Sequence, residues 1–145
     1  MKKQSLVQKG VAAIEFAILL PVLLAILLGI INYGLLMYNQ AVITNAAREG
    51  ARWAAIHNSA IVGGACANAY SPAPADACQA AYSYATNNLF SFGAPAITVT
   101  QSNSGTYLPG TPQTVIVRYT YTGIATVFVG NPDGNYQSTA VMLHE

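Results

Sequence analysis

The longest apolar run, residues 11–31, reads VAAIEFAILLPVLLAILLGII, and Glu15 is its only ionisable member. At 1.5 Å per residue a helix over this run would span roughly 31 Å, close to the hydrocarbon thickness of a bilayer. A helix is also the only single segment that satisfies its own backbone in lipid. As a core helix the run would leave too little chain to cover it, so the pattern predicts a membrane span. Lys2, Lys3 and Lys9 precede it with no acid before Glu15, and residues 32–47 carry no charge. The positive-inside rule then predicts a cytoplasmic N-terminus with the remainder across the membrane. The run is longer than the apolar core of a signal peptide and no A-x-A site follows, so retention is expected over removal. Pro21, mid-span, predicts a kink or local loosening.

Beyond the span, helical periodicity continues to about Ile56. Leu36, Ile43, Ala47, Gly50 and Ala54 share one face, with Asn39, Gln40, Asn45, Arg48, Glu49 and Arg52 assigned mostly to the other. Ala46, Ala47, Gly50 and Ala51 allow close backbone approach. Glu49 and Arg52 are three apart and can pair. Residues 58–74, rich in Ala, Gly, Ser and Pro, read as a loop. Asp76 can cap a second helix from Ala77 to about Phe90, with Cys78, Tyr82, Ala85, Leu89 and Phe92 as its apolar stripe. After Gly93 the period becomes two. Strands are predicted over 97–100, 114–121 and 138–144, with a turn at 131–134. The short apolar segment 124–129 reads as an edge or a partner contact. The fold class expected is α+β: a long N-terminal helix, a second helix and a small three-stranded antiparallel sheet.

Composition sharpens this picture. Of 145 residues, 53% are apolar and 8% charged, against about a quarter charged in soluble domains. Six basic residues and a net charge of +1 argue against nucleic acid, which needs clustered Lys and Arg. His57, His144, Asp76, Asp133 and Glu145 are widely spaced, and no nucleophile elbow, phosphate loop or HExxH occurs. No enzyme, metal, cofactor or small-molecule substrate is expected. Cys66 and Cys78, with eleven residues between them, suggest one disulfide on the non-cytoplasmic side, worth about 3 kcal/mol in the chain-entropy model. Two free thiols are the rival, and His57 and Asp76 complete no zinc spacing.

A lone carboxylate in lipid must be neutralised, snorkel or pair. Glu15 is therefore either an interfacial residue or the partner of a cation at matching depth. Cutting after Gly10 would create such a cation, the α-amino group of Val11, which a neighbouring subunit could offer to this carboxylate.

Lys9-Gly10-Val11-Ala12-Ala13-Ile14-Glu15-Phe16 resembles a class III prepilin processing site. Asn45-Ala46-Ala47-Arg48-Glu49-Gly50-Ala51-Arg52 is similar to the signature of TadE-like pseudopilins of the tight-adherence (Flp, type IVc) pilus systems. Residues 138–145 resemble the C-terminal strand of that family more loosely. Val11 stands where other type IV and type II secretion pseudopilins start with Phe, which favours the tight-adherence branch. The resemblance implies a leader (1–10) removed between Gly10 and Val11 by a prepilin peptidase, and assembly through Glu15 and Phe16. It further implies a span (11–31), an extramembrane helix (32–56) and a small head (57–145). Asn45, Arg48, Glu49, Gly50 and Arg52 are the expected helix or subunit contacts. Partners would be the membrane, the peptidase and other pilins or pseudopilins. The place implied is the inner (cytoplasmic) membrane, single-pass, with incorporation into a pilus. The rival readings are an uncleaved bitopic anchor for an adhesive or envelope-scaffold domain, and a membrane-tethered enzyme.

Overall fold

The computed structural model describes residues 3–57, 69–91, 96–102, 108–121 and 135–145. They form α1 (Lys3–Ile56), α2 (Ala77–Asn88), β1 (Ala96–Ser102), β2 (Pro112–Thr120) and β3 (Asn135–Leu143). α1 is one helix of 54 residues, about 80 Å at 1.5 Å per residue. It starts earlier than the span, taking residues 3–10 into the same rod, and it runs unbroken through Pro21. Ala, Leu and Ile supply most of its membrane half, and good helix formers of this kind tolerate one proline when the remaining turns stay bonded.

The two halves of α1 have different surroundings. Its most apolar stretch has no buried residue, so it is not the core helix of this domain. Beyond Asn32 one face becomes interior: Asn39, Val42, Ile43, Ala46, Ala47, Gly50, Ala51, Ala54 and Ala55 are all buried. Their steps of three and four residues trace a stripe along the helix. α2 lies against that stripe with a similarly small-residue side, burying Ala77, Cys78, Ala80, Ala81, Ser83 and Ala85. Small residues on both helices allow their backbones to approach closely. Asp76 caps α2 as predicted, its Oδ1 accepting from the Gln79 N–H at 2.7 Å.

The sheet has the order β1-β2-β3, antiparallel throughout, with Val99 opposite Val117 and Val117 opposite Ser138. Alternation sends Ile97, Val99, Val115, Val117 and Tyr119 inward, joined by Tyr121 just beyond β2. The other face carries Thr98, Thr100, Thr114, Arg118 and Thr139, each at least partly exposed. Past β3, the His144 N–H donates to Thr111 and the Glu145 N–H to Ala55 in the last turn of α1, at 2.9 and 3.2 Å.

The α2 end and the ends of all three strands differ by one to three residues from the sequence expectation, and two of these shifts have an evident cause. α2 ends at Asn88, short of Phe90, because the Phe90 N–H donates to Asn39 Oδ1 at 3.1 Å and leaves the helical ladder. β3 begins at Asn135 because Asn135 pairs with Thr120, whose hydroxyl donates to Asn135 Oδ1 at 2.9 Å. β1 extends to Ala96–Ser102 by pairing with Thr120 through Thr114. The expected turn at 131–134, the apolar segment 124–129, Phe92, Cys66 and most of the 58–74 loop lie outside the described residues.

Candidate assembly surface

The membrane half of α1 presents apolar side chains on all sides. Val11, Ile14, Phe16, Ile18 and Leu19 are each more than half exposed, and Glu15 is exposed among them. The Gly10–Val11 peptide bond lies within the helix. Arg48 is the next basic residue after Glu15 in the sequence, about 50 Å further along the helix axis. Among the described side chains the one ion pair is Arg52 with Glu49, 3.4 Å apart.

Residues 45–52 divide by size. Ala46, Ala47 and Ala51 are completely buried, and Gly50 is buried with them. Gly50 is the tightest point: a Cβ built there would meet the Ala77 carbonyl oxygen at 2.9 Å, Ala81 Cβ at 2.9 Å and Val115 Cγ1 at 3.1 Å. It is where α1, α2 and β2 converge. Asn45, Arg48 and Arg52 are exposed and Glu49 is half-buried. Of the five expected contact residues, Gly50 therefore serves the packing of the head itself, and the polar four line the outer side.

Asn39 corrects the sequence reading, which had assigned it to the solvent side. It is 2% exposed. Its Nδ2 donates to the Phe90 carbonyl at 2.7 Å while its Oδ1 accepts from the Phe90 N–H. The amide thus replaces a peptide group and closes the chain leaving α2. Nδ2 also lies 3.4 Å from the Tyr119 hydroxyl.

Lower on α1, the Tyr121 hydroxyl donates to Asn32 Oδ1 at 2.7 Å and the Tyr38 hydroxyl donates to the Asn88 carbonyl at 3.0 Å. Burial raises Tyr119 above the usual phenol range, partly offset by a hydrogen bond with Ser91. Tyr121 is raised by burial, then by repulsion from Tyr119 and Tyr136. Sequence reasoning missed Asn32, Asn39 and Tyr121. Only for Asn39 was there a local signal, its place three after Leu36 and four before Ile43.

Among the described residues the remaining candidates do not gather into one cluster. His57 stacks on Trp53, ring centroids 4.1 Å apart, at the far end of α1. His144 is buried beside the end of β3. Asp133 lies outside the described residues. Among the described residues no three His, Cys, Asp or Glu side chains could hold a metal ion. Cys78 is fully buried and disulfide-bonded, while Cys66 lies outside the described residues.

An apolar helix left bare at one end and packed into a small helix-and-sheet head at the other is consistent with a single-pass membrane anchor. Residues 10–52, less than a third of the chain, are similar to the family model described as TadE-like protein. No curated protein and no solved structure matches the chain. The family match runs from Gly10 to Arg52, from the bare apolar helix through the packed small-residue seam.

Proposed function

We propose that this chain is a minor pseudopilin of a tight-adherence pilus, cleaved after Gly10 and assembled through Glu15, Phe16 and the apolar half of α1. The observation that carries this reading is the contrast within one helix: bare and apolar beyond Val11, sealed into the head beyond Asn32. In the inner membrane the N-terminus faces the cytoplasm and the head the opposite side, the orientation favoured by the three leading lysines. Cleavage by a prepilin peptidase requires the helix to open around Gly10, and glycine eases this by about 1 kcal/mol relative to alanine. The Val11 amine so released on one subunit then pairs with Glu15 of its neighbour while apolar helices pack side by side. Asn45, Arg48, Glu49 and Arg52 face neighbouring subunits from the outer side of α1. A Cys66–Cys78 bridge staples the head on the oxidising side of the membrane.

Two variants test the scheme. Glu15→Gln is expected to insert and be cleaved but to assemble poorly, and normal piliation would overturn the assembly role. Gly10→Ala should retain the leader, read as an unchanged mass after exposure to peptidase-bearing membranes. The continuity of α1 through Gly10 and Val11 favours a second reading, an uncleaved bitopic anchor for an adhesive or scaffold domain. N-terminal sequencing of the membrane-extracted protein separates the two: Val11 first supports the pseudopilin, Met1 the anchor.

A further inference from the structure

The height of the head above the membrane follows from α1, because the head is bonded to the helix at defined residues. A carboxylate is expelled from hydrocarbon where the helix can slide to release it. Placing Glu15 at the boundary puts the hydrocarbon slab over residues 16–35, which is 20 residues and roughly 30 Å. Asn32 would be the one strongly polar side chain in that slab. Its Oδ1 accepts the Tyr121 hydroxyl at 2.7 Å, and Tyr121 itself is 1% exposed. The head thus meets the helix at the level of the slab's edge.

The next contacts lie just above. Tyr38 and Asn39 are bonded to Asn88 and Phe90, at 3.0 and 2.7 Å, about 6 Å beyond the end of the slab by the helix rise. The headgroup layer on one side of a bilayer is itself about 5–8 Å deep. At this level Met37, Tyr38 and Phe90 are all about half exposed, and Tyr33, at the slab's outer edge, is more than half exposed. Aromatic rings with one apolar body and, for Tyr, one polar tip are enriched at that depth.

We infer that the membrane-proximal rim where the head meets α1, Tyr38 and Phe90, is docked in the headgroup layer of the bilayer, with Tyr33 at the slab's outer edge and the Tyr121–Asn32 bond masking the one strongly polar side chain in the slab. The occupant of this rim is the lipid surface. The inference rests on the anchoring helix but not on leader cleavage or pilus assembly.

The test uses the full chain in phosphatidylcholine vesicles containing headgroup-nitroxide lipid. Trp53, the single tryptophan, lies about 27 Å above the slab by the helix rise, so the native protein is the distant reference. In a Trp53→Phe background, Phe90→Trp places the one indole at the rim. Asn39 holds Phe90 through its backbone, and the Phe90 side chain is about half exposed, which leaves room for an indole. Tyr33→Trp in the same background is the positive control. The rim indole should lose about half its emission to a quencher confined to the headgroup layer, with Trp53 unaffected. Rim emission no more quenched than Trp53, in chain that floats with the vesicles and with the control quenched, would overturn the docking and leave the anchor standing. Failure of the native chain to float with the vesicles would overturn both.

Discussion

Gly50→Ala reverses the usual effect of that substitution. In the interior of a helix, replacing glycine by alanine gains about 1 kcal/mol. Here the added methyl group would sit 2.9 Å from the Ala77 carbonyl oxygen, 2.9 Å from Ala81 Cβ and 3.1 Å from Val115 Cγ1. Two of those atoms have no freedom of their own, being a backbone oxygen and a first side-chain carbon. α1 must therefore back away from α2 and β2 together. Overpacking of this kind costs about 1–3 kcal/mol, and contact with three partners on two elements points to the upper end. After the gain in helix propensity, the net loss is about 2 kcal/mol. For a head of this size that lowers the melting midpoint by about 8 °C. The assay is thermal unfolding of the full chain in mild detergent, followed by near-ultraviolet circular dichroism, which reads the packed aromatics of the head. Gly50→Val should lower the midpoint further. A midpoint for Gly50→Ala equal to or above that of the native chain would refute the convergence of three elements on this residue.

Asn39→Leu removes the two hydrogen bonds that Asn39 makes with the Phe90 backbone, and should destabilise the head by about 2–3 kcal/mol in the same melting assay. Tyr119 and Tyr121 have folded-state values raised above the ordinary phenol pKa of 10.0. The stability they contribute is therefore fully present below about pH 10 and is lost as pH rises through their folded values. Tyrosinate absorbance should show two phenols ionising late, together with unfolding, and a completed titration in a still-folded head would contradict the burial. Cys78→Ser, or reduction of the native chain, should cost about 3 kcal/mol if the bridge closes on Cys66. Thiol counting under denaturing conditions should find none before reduction and two after.

Much of the architecture was legible because it rests on local periodicity. The end of α1 at Ile56, the Asp76 cap and the three antiparallel strands all follow from patterns a few residues long. The small residues of 45–52 were readable as a close approach, though not which elements approach. Asn39 shows where such reading stops. It occupies an interior position of the stripe by spacing, yet its polarity suggested solvent, and the groups that satisfy it lie 51 and 80 residues away. Asn32 and Tyr121, 89 residues apart, are the same case. A buried amide is legible only once its distant partner is in place. Glu15 and Gly10 differ again, since their meaning depends on molecules other than this chain.

A single rod from Lys3 to Ile56 that carries the head on its distal half has a mechanical consequence. α1 has no loop in series between Lys3 and Ile56, so a pull applied at the membrane end meets no compliant joint. The load passes into the head as shear along the buried stripe, shared by many contacts side by side instead of peeled one by one. The Glu145–Ala55 bond ties the last strand to the distal tip of the same rod. Tension on the helix is therefore passed to the described helices and strands of the head together.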